Sequence, residues 1–204
     1  MLINNKIIAV LTINDSTKSL DLIKCLKNVG ISNLDIRLRT SESKKAIETI
    51  VNSNYDFNIG VGTVVSTEDL AFINSLKIKY AFSPHTDKKI IKLSKKKNIE
   101  FIPGVSNLSD INSALDCGCQ YLKFFPAEKL GGVNYLDSIL KPLKKNDLKI
   151  IAMGGINDKN ILEYLSHENI IGIGSSWIAN EILVNDSNWN EIERRAKLLL
   201  NTLN

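Results

Sequence analysis

Cysteine is scarce in this chain: Cys25, Cys117 and Cys119 are the only three, and His85 and His167 are the only two histidines. An odd number of thiols without a secretory leader argues against a disulfide framework and for a reducing compartment, the cytoplasm. Cys117-Gly118-Cys119 has no second cysteine pair and no histidine nearby in sequence, so a metal site is not expected. No apolar run reaches the ~18 residues that would span a membrane, and the short one before Val10 reads as a strand. Low-complexity linkers are also missing, which leaves residues 1–204 as a single expected domain. The net charge is only +4 and the lysines are dispersed. Their densest run, Lys95-Lys96-Lys97, has no aromatic interleaving; it reads as a solvated helix end rather than a nucleic-acid contact.

What the chain does have is an alternation. Short runs rich in β-branched residues are each followed by a cap or turn residue and then by apolar positions at helical spacing. Strands are expected at Lys6 to Ile13, Asn33 to Arg39, Asn58 to Val65, Tyr80 to Ser83, Ile99 to Pro103, Tyr121 to Phe125, Leu148 to Ala152 and Ile170 to Gly174. Helices are expected between them, the first over Ser16 to Val29 with Leu20, Ile23 and Leu26 at helical spacing and the last over Trp189 to Leu200. Strands that alternate with helices pair in parallel. Eight such units are the number that closes a compact (β/α)8 TIM barrel, with a doubly wound open sheet as the rival.

In a barrel the chemistry sits where the strands end. There the sequence places Asp35, Arg37 and Arg39 on one face of strand two, Thr63 near the end of strand three, Pro84 and His85 at the rim of strand four, and Lys123 on strand six. Gly154-Gly155 follows strand seven, and Gly174-Ser175-Ser176 follows strand eight. Glycine lets a backbone approach a ligand closely, so the last two loops suit a phosphate. Lys123 shares a strand face with Tyr121 and Phe125. Burial beside aromatics would lower its pKa, and a neutral amine attacks a ketone to form an imine; the bland alternative is a lysine that snorkels to solvent. Arg39 offers a bidentate fork for a carboxylate, and Asp35 offers a carboxyl for proton transfer, directly or through water. The same two residues would also serve as a salt bridge. His85 reads as a satisfied rim histidine, and His167 as a helix-end charge.

Taken together, LDIRLRT (34–40), GVGTVVS (60–66), SPH (83–85), IPGVSN (102–107), KFFPAE (123–128), GGV (131–133), GGI (154–156) and GIGSSW (172–177) resemble the class I aldolases of 2-dehydro-3-deoxy-6-phosphogluconate (KDPG) and 4-hydroxy-2-oxoglutarate (KHG). KFFPAE is the most specific of these motifs; GVGTV and GGI recur in other barrels. The resemblance implies that Lys123 is the Schiff-base lysine. It implies that Arg39 and Thr63 hold the pyruvate carboxylate and that Gly154, Gly155, Gly174, Ser175 and Ser176 belong to the phosphate loops. It also implies a phosphorylated 2-keto acid and pyruvate as ligands, no cofactor or metal, and a homotrimer.

Three positions depart from the family pattern. Asp35 stands where a glutamate is usual, Arg37 where a threonine is usual, and Met153 where another threonine is usual. Met153 and Arg37 are therefore candidates for specificity, and Pro84, at the rim after strand four, is a third. The alternatives are an aldolase for the galacto epimer of the substrate and a barrel that binds a phosphorylated acid without catalysis. An isomerase or epimerase barrel, which needs no imine lysine, is a weaker third.

Overall fold

The computed structural model describes residues 5–143 and 147–203 of the expected domain. Among the described residues nine strands form one continuous, wholly parallel sheet: β1 (Ile7–Leu11), β2 (Asn33–Arg37), β3 (Asn58–Gly62), β4 (Tyr80–Phe82), β5 (Glu100–Ile102), β6 (Gly104–Val105), β7 (Tyr121–Phe124), β8 (Lys149–Met153) and β9 (Ile170–Ser175). Their order is β5-β4-β3-β2-β1-β9-β8-β7-β6. Strands β5 and β6 stand at opposite ends of that order yet are consecutive in the chain, separated by Pro103 alone. They are two halves of the expected fifth strand. Proline has no N–H to give to a ladder, so the strand is interrupted there. The carbonyl of Pro103 still accepts from the Lys123 N–H (2.8 Å), which carries the sheet round towards closure. The eight expected strands thus become nine segments of a nearly closed barrel.

The helices are α1 (Ser19–Asn28), α2 (Ser43–Val51), α3 (Thr67–Ser75), α4 (Lys88–Lys96), α5 (Leu108–Asp116), α6 (Ala127–Leu130), α7 (Gly132–Leu140), α8 (Ile161–Leu165), α9 (Glu181–Asn185) and α10 (Trp189–Asn201). The short α6 and α9 were not legible as separate elements. In α1 the buried face is Leu22, Ile23, Cys25 and Leu26, whereas Leu20 faces solvent; Ser16–Lys18 form a separate 3-10 turn that rotates the register. Ser66 caps α3 in a reciprocal box with Asp69, each side chain taking the other's backbone N–H. Lys95 does more than dwell in solvent at the end of α4: its amine donates to the carbonyls of Cys117 and Gly118 and so closes the end of α5.

Alternation along the strands divides the core in two. Ile7, Leu11, Leu34, Ile36, Leu122, Phe124, Ile150 and Ile173 point outward and pack under the helices. Ile8, Val10, Phe82, Ile102, Ile151 and Met153 fill the barrel, with Tyr80, Tyr121, Phe125 and Ile171 beside them. At the end where the strands begin, Asn33 donates to the Ile7 carbonyl (3.0 Å) and accepts from Asn58 (3.1 Å), so the interior polar groups there are paired. Among the described residues no helix is long and apolar enough to cross a membrane.

Candidate active site

Lys123 lies on β7 with its side chain inside the barrel and only 6% of its surface exposed, so it does not snorkel. Its Nζ stands 4.9 Å from the centre of the Phe125 ring and 5.9 Å from that of Phe82. Burial pushes its amine down from the usual 10.5 to about 8; Asp35 opposes that shift, while Arg37 and Arg39 assist it.

Asp35, on the inward face of β2, is completely buried. Neither of its carboxylate oxygens has a hydrogen-bond partner among the described residues, so the salt-bridge alternative does not hold. Burial raises its pKa above the ordinary carboxylate value, against the pull of Lys123, Arg37 and Arg39. The space it occupies exists because β3 presents glycines to the interior. A Cβ on Gly62 would lie 2.1 Å from Asp35 Oδ1, and one on Gly60 would lie 2.5 Å from the Phe82 ring. GVG, a weak motif by spacing alone, is thus the hollow that receives the acid and the aromatic.

The expected run of Asp35, Arg37 and Arg39 along one strand face is shorter than anticipated. Strand β2 ends at Arg37, and Arg39 follows two residues beyond it, exposed at the mouth. Its Nε donates to Thr63 Oγ1 (3.0 Å), so the two residues expected to hold a carboxylate are already in contact. Thr63 adopts φ +61°, a left-handed conformation that a β-branched residue takes at a cost of about 1–3 kcal/mol. Arg37 lines a different part of the mouth from Arg39. There a cavity of about 260 Å³ is lined by Val10, Thr12, Arg37, Ser176, Asn180 and Glu181 among others. A larger recess of about 460 Å³ lies around Tyr80, Glu100 and Cys119, where strands begin, and contains none of the residues above. Size alone would misplace the site.

Across the mouth, Gly154 (φ +100°) and Gly155 (φ +89°) follow β8 in conformations that favour glycine. Gly174 lies under Met153, whose Sδ and Cε a Cβ there would meet at 2.7 Å. The hydroxyl of Ser175 is not available to a ligand: it is buried and donates to the Ile156 carbonyl (2.7 Å). Side-chain alternation accounts for this, since Ser175 points outward from β9; Ser176 is the serine that lines the mouth cavity. Pro84 is half-buried at the end of β4, and His85 is exposed beside it with only a 3.5 Å contact to Ser83 Oγ. His167 is more than a helix-end charge: Nε2 meets Asp137 Oδ1 (2.9 Å) and Nδ1 accepts from the Asn169 N–H (3.1 Å).

Glu128, the last residue of KFFPAE, has a role that spacing does not reveal. Its N–H donates to the Gly154 carbonyl (3.0 Å), its Cβ and Cγ lie where a side chain on Gly155 would have to go, and Oε1 accepts from the buried Tyr164 hydroxyl. Glu128 therefore braces the diglycine loop against the strand that carries Lys123. A second brace is Arg195 of α10, which donates to the Trp177 carbonyl (2.9 Å) and stacks over its ring just after Ser176. The signal for both was the acid or aromatic that ends a site motif: Glu128 in KFFPAE and Trp177 in GIGSSW. Among the described residues no group of three or more His, Cys, Asp or Glu side chains is placed to hold a metal.

The chain matches the family described as KDPG and KHG aldolase over residues 1–195. It is 33% identical over 198 residues to a 2-dehydro-3-deoxy-phosphogluconate aldolase of Haemophilus influenzae, covering 97% of this chain and 92% of that one. It is 35% identical over 191 residues to the enzyme of the same name from Pseudoalteromonas atlantica, with 94% and 88% coverage. Among solved structures, the KDPG aldolase of Legionella pneumophila superposes with a TM-score of 0.91 at 31% identity, covering 97% of this chain and 95% of that one. That crystal holds pyruvate captured at low pH as a covalent carbinolamine intermediate.

Proposed function

The chain belongs to the KDPG and KHG aldolase family, and from that premise we propose that it is a class I aldolase that cleaves KDPG to pyruvate and glyceraldehyde 3-phosphate through an imine on Lys123. The observation that carries this reading is the depressed pKa of a lysine inside an apolar barrel, beside a buried carboxyl and below an arginine–threonine pair. Relatives named for the gluco substrate favour it over the galacto epimer.

In the proposed sequence Arg39 and Thr63 hold the substrate carboxylate. Lys123 Nζ attacks C2, and loss of water leaves a protonated imine. As the C3–C4 bond breaks, its electron pair moves into the imine to give an enamine. The C4 hydroxyl proton passes to Asp35, and glyceraldehyde 3-phosphate leaves. Asp35 returns that proton to C3, and water then releases pyruvate and frees the amine. Gly154, Gly155, Gly174 and Ser176 hold the phosphate. Cleavage of KHG to pyruvate and glyoxylate is the proposed second activity, and Met153 and Pro84 are proposed to shape the pocket for the substrate hydroxyl. The electron sink is the imine itself, so no cofactor enters the scheme.

Borohydride reduction in the presence of pyruvate, followed by peptide mass mapping, tests the central claim: a pyruvate adduct is expected on Lys123 and nowhere else. A lactate-dehydrogenase-coupled assay on both epimers tests the substrate, and it would sink the reading if KDPG released no pyruvate. We propose a homotrimer on family resemblance, testable by light scattering. A cytoplasmic location suits the three free thiols.

A further inference from the structure

The side chain of Arg37 is the odd feature of the mouth. It is half-buried on the inward register of β2 and makes no hydrogen bond or ion pair with any described residue. Burial lowers its pKa, Asp35 and Glu181 raise it, and Arg39 lowers it, yet a guanidinium stays charged throughout the working range. A half-desolvated cation whose two acidic neighbours, Asp35 and Glu181, make no hydrogen bond to it is costly, and an anion that binds there offsets the cost. The cavity it lines is built for one. Thr12 and Ser176 bring hydroxyls that no described residue uses. Asn180 spends its carbonyl oxygen capping α9 by accepting from the Leu183 N–H, which leaves its amide nitrogen as a donor. Glu181, the one acid on the wall, is exposed and held by Asn14 Nδ2 (3.2 Å). Arg39 is committed to Thr63 on the far side.

We propose that Arg37, with Thr12, Ser176 and Asn180, forms the seat for the anionic group at the end of the substrate remote from the keto acid, and that it sets a preference for doubly anionic substrates. This rests on the aldolase reading above. Ser176 joins the two assignments: it belongs to the glycine-rich loop on one side and to the Arg37 cavity on the other. Arg37 would close a fork on a phosphate ester or a carboxylate, the planar donors that suit either. The two sources differ in reach, since a phosphate ester extends further from the reacting carbon than a carboxylate attached to it.

The test runs the reaction in the condensation direction with pyruvate and three acceptors: glyceraldehyde 3-phosphate, glyoxylate and uncharged glyceraldehyde. For Arg37→Thr, kcat/KM on a charged acceptor relative to glyceraldehyde should fall by roughly tenfold to a hundredfold, the range that loss of a charge-assisted hydrogen-bond pair gives. The loss should appear mainly in KM. Arg37→Lys keeps the charge but not the fork, and should lower the ratio by a smaller factor. A fall confined to the phosphorylated acceptor identifies a phosphate seat, and one confined to glyoxylate a carboxylate seat. Equal loss on all three acceptors overturns the assignment, because Arg37 would then act on the reacting centre. If the wild-type protein traps no pyruvate with borohydride, the aldolase reading fails and this assignment falls with it.

Discussion

Replacing Asp35 by Asn separates the two halves of the reaction, and its effect is readable as a titration. In the wild-type protein the Lys123 amine titrates at about 8 rather than 10.5. At pH 7 roughly a tenth of such amines are neutral, against about three in ten thousand for an ordinary lysine, a gain of roughly 300-fold in reactive population. Trapping of pyruvate by borohydride should therefore rise with pH through a midpoint near 8. Asp35 is the neighbour that works against the depression, since its negative charge favours the ammonium. Burial, the dominant cause, is untouched by a substitution that keeps shape and volume. In Asp35→Asn the midpoint should move below that of the wild type.

Turnover should move the other way. Losing a positioned proton shuttle costs about 10²–10⁴ in rate, so steady-state release of pyruvate from KDPG should nearly vanish while the adduct still forms. The assay is the initial rate of adduct formation at Lys123 by mass spectrometry from pH 6 to 10, beside the coupled assay on the same preparations. Two results would refute the reasoning. A wild-type midpoint near 10 would mean that the lysine is not desolvated as the barrel requires. Loss of trapping in parallel with turnover would mean that Asp35 acts in imine formation and not only afterwards.

The other consequences are simpler. Gly62→Ala puts a methyl 2.1 Å from Asp35 Oδ1, so the acid must move; a cost of about 1–3 kcal/mol in stability and a fall in kcat are expected, by urea melts and the coupled assay. Gly155→Ala combines a φ of +89° with a contact of 2.6 Å to Glu128, and should raise KM for KDPG more than for KHG, which has no phosphate. Tyr164→Phe leaves Glu128 Oε1 without its donor; a loss of about 1–3 kcal/mol is expected, and an unchanged urea midpoint would show that the brace carries no load. Ser66→Ala removes the cap of α3 and should cost about 1 kcal/mol of stability with turnover intact.

The strand–helix alternation was legible because burial on both sides makes each strand a short apolar run and each helix a stripe, and those periods survive in the sequence. The interruption at Pro103 could be read only as a strand end. Whether a proline ends a strand or merely breaks it depends on whether β6 finds β7, a contact made by residues far apart in the chain. The site residues were legible where chemistry restricts the residue type: a lysine among aromatics and glycine-containing loops after two successive strands. Ser175 and Ser176 could not be told apart, since which serine faces the mouth depends on one residue of register. Glu128 escaped because its role is to support glycines that carry no side chain of their own, and support of that kind leaves no spacing signal.

The absence of a bond between Asp35 and Lys123 is itself part of how the site works. Ordinary values for the two groups, 3.8 and 10.5, lie too far apart for a proton to pass between them easily. Burial moves both towards neutral pH, the acid from below and the amine from above. Their mutual attraction acts in the opposite sense, lowering the acid and raising the amine. A close salt bridge would let attraction win, restore a permanent ammonium and remove the nucleophile. With no hydrogen bond joining them, burial dominates: the amine is freed to attack, and the acid's pKa stands above the ordinary carboxylate value. The glycines at 60 and 62 make this possible, because they let an acid and an aromatic be buried beside β3 without lining that wall with polar groups that would re-solvate them. The interior therefore leaves the Asp35 carboxyl without a hydrogen-bond partner among the described residues and offers the Lys123 amine only aromatic faces, a costly choice for stability that makes sense only if the pair does chemistry.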